Sequence, residues 1–255
     1  MSGNVKLLWI LLSFFFWNAL EGCAHSESSY SPNPDLKKKH HLADGTFRNN
    51  DIGPISKPFL ELLKWRWNRE APQPLSYELA ENNPDFLKNN KSAPTLTWIG
   101  HSTLLLQYQG LNILTDPHLT KRASPVSFAG PVRHTPPGLS IQDLPHIDLI
   151  VISHNHYDHL DRLTIERIHK QQIHDPPRIF VPLRQKKWFE DLGISNVVEL
   201  DWGDSEIFQG WRIYAVPIQH WSSRGLWDRN KILWAGWVLE HPESDFSSRE
   251  TQDTP

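Results

Sequence analysis

The segment that most constrains this chain is a fully apolar strand that runs straight into a crowd of potential metal ligands. Asp148-Leu-Ile-Val-Ile-Ser153 is a continuous apolar run bounded by polar residues, the pattern of a strand buried on both faces. Ser153-His154-Asn155-His156-Tyr157-Asp158-His159 follows at once. In an extended loop, residues two apart point the same way. His154 and His156 can therefore meet one tetrahedral ion, with metal–nitrogen distances of about 2.0–2.1 Å. Asp158 and His159 are then placed for a second ion a few ångströms off. Two metals so arranged clamp the attacking and leaving oxygens of a displacement and generate hydroxide at neutral pH. A lone histidine is ordinarily a surface or satisfied core residue. The whole His-x-His-x-Asp-His cluster on a strand-to-helix loop points instead to metal ligation.

The surrounding pattern is α/β. Thr95 to Ile99, Thr103 to Tyr108 and Leu111 to Thr115 read as a β-meander, with Gln109-Gly110 as a tight turn. Helical patterns at Leu160 to His169 and Arg184 to Leu192 alternate with strands at Arg178 to Pro182 and Asn196 to Leu200. Strands at Trp211 to Pro217 and Ile232 to Leu239 follow, and no internal repeat is visible.

The N-terminal region is compositionally separate. In residues 1–22, Lys6 precedes the apolar stretch Leu7 to Leu20, which is short for a membrane span and reads as a secretory signal. Cys23, the only cysteine, stands directly after Leu20-Glu21-Gly22, a setting similar to the bacterial lipoprotein signal, in which the Cys is lipidated. The alternative is an incidental Cys behind an ordinary signal. One Cys excludes an intrachain disulfide. Residues 23–36 are rich in Ser and Pro and read as a tether. Lys37-Lys38-Lys39-His40-His41 reads as a solvated charge run in preference to a contact with anionic lipid, which would be worth about 1 kcal/mol per charge. Phe59 to Trp67 reads as an amphipathic helix with Phe59, Leu62, Leu63 and Trp67 on one face, expected to pack on the core. The net charge of −3 lacks the basic excess of a nucleic-acid binder. Cys23 belongs to the signal and no Gly-x-Ser-x-Gly is present, so Cys-His and Ser-His-Asp nucleophilic schemes find no support.

At the histidine cluster the chain resembles the metallo-β-lactamase superfamily. Within it, the chain is similar to the N-acylphosphatidylethanolamine-hydrolysing phospholipases D and their bacterial relatives. The matching pieces are His40-His41 with Gly45-Thr46-Phe47-Arg48-Asn49, Trp98-Ile-Gly-His-Ser-Thr103, Leu114-Thr-Asp-Pro117, Arg122-Ala-Ser-Pro125, Gly130-Pro131 and Leu149 to His159. Gln219-His220-Trp221 and Leu233-Trp-Ala-Gly-Trp237 extend the likeness.

The resemblance implies an αββα sandwich over residues 37–240. It makes His220 the third ligand of a first metal beside His154 and His156, Asp158 and His159 the ligands of a second, and Asp158 a catalytic group. His101 and Asp116 are expected to orient ligands and backbone around the site, whereas His118, His134 and His241 read as ordinary residues. The cofactor it implies is Zn2+, two ions in a complete family site. The reaction it implies is attack of hydroxide on phosphorus, releasing an N-acylethanolamine and phosphatidic acid. The partners are then a phospholipid substrate and a membrane surface reached through the lipid anchor, which would place the chain on the periplasmic side of a bacterial envelope.

The family continues into a Gly-Asp-Thr-Gly segment, whose Asp bridges the metals, and later supplies a further His. Here residues 241–255 are a polar stretch with Phe246 as the one sizeable apolar side chain. The expectation is a C-terminally truncated relative: the first half of the sandwich and the start of the second, one zinc in place of two, and an uncovered sheet face that invites a second copy or a complementing chain. Two further readings stay open, another hydrolase of the same fold acting on a lactone, ester or cyclic phosphodiester, and a non-catalytic metal-binding remnant.

Overall fold

The computed structural model describes residues 39–51, 59–68, 80–225 and 227–241. The stretches read as a secretory signal and a tether, Cys23, and the polar stretch from residue 242 onward lie outside them. Among the described residues no helix is long and apolar enough to cross a membrane.

Six strands form one mixed sheet in the order β1 (Thr95–Gly100), β2 (Thr103–Tyr108), β3 (Leu111–Thr115), β4 (Leu149–Val151), β5 (Arg178–Pro182) and β6 (Val197–Leu200). β1 to β3 are the expected antiparallel meander, and β3 to β6 run parallel. A second, antiparallel sheet holds β7 (Ser205–Phe208), β8 (Trp211–Val216) and β9 (Gly236–Glu240).

Strand alternation assigns the two faces of the large sheet. Leu114, Ile150, Ile179 and Val181 face a cluster with Leu87, Ile165, Ile168 and Phe189 from the helices α2 (Pro84–Asn89), α3 (Arg162–Gln171) and α4 (Lys186–Glu190). Ile113, Leu149, Val151 and Phe180 face the other way, onto Trp211, Ile213 and Ala215 of β8. The order is thus helices, sheet, sheet. β4, buried throughout, contributes to both cores.

Four expectations need correction. The strand foreseen at Ile232 to Leu239 begins only at Gly236. Leu233 N donates to Leu183 O and Ala235 N to Ser153 O, so this stretch spends its hydrogen bonds bridging to the first sheet before joining β8. The helix foreseen from Leu160 begins at Arg162, because Leu160 N bonds back to His156 O and Asp161 caps the helix by accepting from Leu163 N at 3.2 Å. The helix foreseen at Arg184 to Leu192 shortens to α4, with Arg184 in the left-handed region at φ 68°. Trp67, at the end of α1 (Phe59–Asn68), is 89% exposed and does not pack on the core.

β7 was not foreseen. Its turn into β8, Gln209-Gly210 with φ 48° and 85°, repeats the Gln109-Gly110 turn with φ 49° and 79°, the positive-φ pair typical of two-residue hairpins. That repetition in the sequence is the signal that could have found it.

Candidate metal centre

Because β3 to β6 are parallel, their carboxyl ends share one edge, where open sheets place their ligands. Asp116 follows β3, Ser153 to His159 follow β4, and Asp201 follows β6. His220 reaches the same edge from the loop after β8, 66 positions from His154 in sequence.

Two donor sets form there. His154, His156 and His220 each offer a nitrogen within 4.8 Å of the others, and so do the donor atoms of His101, Asp158 and His159. The sets are adjacent, with the His154 and His159 rings 4.0 Å apart. His101 therefore stands nearer the chemistry than an orienting role required. Its Nε2 lies 2.9 Å from Asp158 Oδ2, at a backbone φ of 52°.

Asp116 and Ser153 set the tautomers. Asp116 Oδ1 accepts from Ser153 N at 2.6 Å, and Oδ2 lies 2.6 Å from Ser153 Oγ and 2.9 Å from His159 Nδ1. A carboxylate only accepts, so the Ser153 hydroxyl donates to it and is left to accept from His154 Nδ1, 2.8 Å away. Both imidazoles thus carry their proton on Nδ1 and turn a bare Nε2 towards the centre.

Burial, reinforced by the neighbouring imidazoles His159 and His220, holds His154 far below the ordinary histidine range. Burial likewise pushes His156 down to about 3 and His220 to about 4. These three are neutral at physiological pH, as metal ligation demands. For His159 burial acts downward too, but the hydrogen bond and charge of Asp116, with Asp158, outweigh it and raise the group. Burial alone would raise Asp158; the hydrogen bond from His101 and the surrounding imidazoles hold it below the usual carboxylate range.

The donor sets fit a metal ion. His156 Nε2 is buried without a hydrogen-bond partner, a state costing about 1–3 kcal/mol unless something satisfies it. His220 Nε2 and His154 Nε2 face each other at 2.9 Å, and a cation between them would serve both lone pairs.

Three supports were not legible in the sequence. Asn49 holds His220 from both sides, Nδ2 donating to His220 O and Oδ1 accepting from His220 N, each at 3.0 Å. Arg224 Nη1 donates to Asn155 O and Leu160 O, stapling the ligand loop, and its guanidinium lies 4.0 Å from the centre of the Tyr157 ring. Trp221 packs its ring 4.2 Å from that of His156. Asn49 and Trp221 stand in the stretches that carry the family likeness, without their roles being readable there, and Arg224 left no signal.

A cavity of about 380 Å³ opens beside His101 and Asp158, lined also by Trp98, Val132, Arg133 and Tyr157. Arg133 is pinned at its wall by bonds from Nη2 to His118 Nδ1 at 3.0 Å and to His118 O, and it lies against Gly100, where a Cβ would fall 2.7 Å from Nη1. His118, read as ordinary, is thus a buried seat for a cation.

Residues 111–247 match the sequence model of the beta-lactamase superfamily domain. The N-acyl-phosphatidylethanolamine-hydrolyzing phospholipase D 1 of Caenorhabditis elegans is 41% identical over 160 residues, which cover 59% of this chain and 44% of that protein. An uncharacterised protein of Mycobacterium tuberculosis (strain ATCC 25618 / H37Rv) is 34% identical over 211 residues, 78% of this chain and 54% of its own length. The mitochondrial N-acyl-phosphatidylethanolamine-hydrolyzing phospholipase D of Saccharomyces cerevisiae is 38% identical over 149 residues, 57% and 31% of the respective lengths. The chain spans about half or less of the length of these curated relatives.

Proposed function

This chain belongs to the metallo-β-lactamase superfamily, and we propose that it is a zinc-dependent phosphodiesterase acting on N-acylphosphatidylethanolamine-like lipids. The observation that carries this reading is the pair of adjacent donor sets, His154/His156/His220 and His101/Asp158/His159, the second of which lines, through His101 and Asp158, a cavity with both apolar and cationic residues. The names of two of the matched relatives support the substrate class. The neutral His154, His156 and His220 would hold a divalent ion, which would supply Lewis acidity and an activated water. Asp158, kept ionised and faced by His101, accepts the proton of the attacking water. Arg133 offers a positive charge to the phosphodiester, and Trp98 and Val132 offer apolar surface to an acyl chain. The water oxygen bonds to phosphorus as the P–O bond to the N-acylethanolamine breaks, and the proton held by Asp158 passes to the departing alkoxide, leaving phosphatidic acid. A lipid anchor at Cys23 would hold the cavity beside its substrate in the bacterial envelope; loss of membrane association in Cys23→Ala is the check, and unchanged fractionation argues against the anchor.

The deciding experiment loads the purified chain with Zn2+ and follows N-acylphosphatidylethanolamine by mass spectrometry, beside His154→Ala/His156→Ala. Release of N-acylethanolamine and phosphatidic acid, absent in the variant, is expected. Hydrolysis of a lactone or cyclic phosphodiester instead, or no turnover by metal-loaded protein, overturns the substrate assignment.

A further inference from the structure

A third group of donors lies on the same sheet edge, away from the centre. His40 Nε2 is 2.5 Å from Asp201 Oδ1 and His41 Nε2 is 2.9 Å from Asp201 Oδ2. The three ligand atoms fall within 4.8 Å of one another. Successive side chains of an extended segment point to opposite sides, so two adjacent imidazoles aim at one carboxylate only because the chain turns there, before the isolated bridge of His41 to Phe47. His40 is fully buried, its ring 4.3 Å from that of Trp202, whereas the His41 side chain is 38% exposed and leaves a path from solvent. Trp202 N donates to Asp201 Oδ1 at 2.8 Å, fixing the carboxylate.

We propose that His40, His41 and Asp201 form a separate divalent-cation site that fastens the strap of residues 40–49 and, through it, steadies the third histidine of the metal centre. Two imidazoles and one carboxylate are a donor set suited to zinc or a neighbouring first-row ion, with further positions left to water. The two imidazole–carboxylate contacts are the metal-free form of this clasp. The charge run read as solvated therefore includes a buried residue, His40.

The far end of the strap gives the site its consequence. Asn49, eight residues on from His41, holds His220 by two main-chain hydrogen bonds and accepts from Trp234 Nε1 at 3.1 Å. Phe47 N donates to Asn230 O, tying the strap to the loop that carries His220. A cation that fixes residues 40 and 41 restrains the segment against which His220 is clamped. The coupling part of this inference rests on His220 being a ligand; the cation site does not.

The test counts ions. Co2+ is added to a chain lacking three of the centre's six donors, His154→Ala/His156→Ala/His159→Ala, and bound metal and the visible spectrum are measured. One Co2+ per chain is expected, lost when His41→Ala is added. No bound ion, or an ion indifferent to His41→Ala, overturns the site. In the otherwise intact chain, which avoids dependence on the folding of the triple variant, His41→Ala should bind one ion fewer; an equal count overturns it too. The ion of the three-histidine set, whose His220 the strap clamps, should be held about tenfold more weakly in His41→Ala, and unchanged affinity removes the coupling. No readout here uses hydrolysis, so a chain inactive on phospholipids leaves this result standing, and an active one does not rescue it.

Discussion

Asp116 serves three groups with two oxygens: the Ser153 amide, the Ser153 hydroxyl and His159 Nδ1. Asp116→Asn puts an amide in place of one acceptor oxygen and disturbs both tautomers. Metal affinity, followed by competition with a chromogenic chelator, should fall about 10–100-fold, the range for losing a partner of a ligand; unchanged affinity would mean the histidines orient themselves. Arg224 is the other position where one side chain governs the loop, and burial pulls it down to about 10 without discharging it at neutral pH. Arg224→Met keeps the stem and removes the bonds to Asn155 O and Leu160 O. Hydrogen exchange at Asn155 to Leu160 should quicken, and protection equal to wild type would show that the staple is dispensable. At this scale the sequence disclosed residue types at close spacing, His154, His156, Asp158 and His159. Asn49 and Arg224 were not legible because a main-chain hydrogen bond can be made by many side chains and leaves no mark on spacing.

α3 begins where it does because Asp161 holds three groups: Leu163 N, Thr164 Oγ1 at 2.6 Å and Thr120 N at 3.1 Å. Asp161→Ala removes the cap, and urea unfolding should show a loss of about 1–2 kcal/mol; a loss within error would place the helix start under other control. The first residue of β9, Gly236, is a glycine for a steric reason. A Cβ there would lie 2.8 Å from Ile218 Cγ2 and 3.1 Å from Val216 Cγ2, both on branched side chains with little freedom to move. Gly236→Ala should cost about 1–3 kcal/mol as an overpacked position, read as a lowered denaturation midpoint with an unchanged slope. The strands with strict alternation or continuous apolar character, β2, β3 and β5, fall where their pattern places them. β7 did not declare itself because its four residues are partly exposed and only half apolar, so their pairing with β8 decides their conformation.

For the whole molecule, the shifted histidines set opposite pH dependences. His154, His156 and His220 titrate below the ordinary value of about 6.5, with His156 near 3 and His220 near 4. Between those values and 6.5 the unfolded chain binds more protons, so metal-free stability drops as the pH falls through that window. His159, raised by Asp116 and Asp158 against its burial, has the reverse sign: its contribution is complete below the ordinary value and fades as the pH rises through its folded value. Protons therefore compete for His159 first. In a His41→Ala background, stepwise acid dialysis should release the ion of the His101/Asp158/His159 set before that of the three-histidine set; release in the opposite order would contradict the opposite directions in which these histidines are shifted. The sequence by itself determined the α/β class, the buried strand β4 and the ligand loop after it, since each is a local pattern read along a few residues. Only the tertiary structure decided that His220 lies beside His154, that His101 faces Asp158, and that His40 and His41 close on Asp201. Those meetings depend on parallel strands bringing their carboxyl ends to one edge and on a second sheet delivering a distant loop there, and no spacing along the chain encodes the distance between residues joined only by packing.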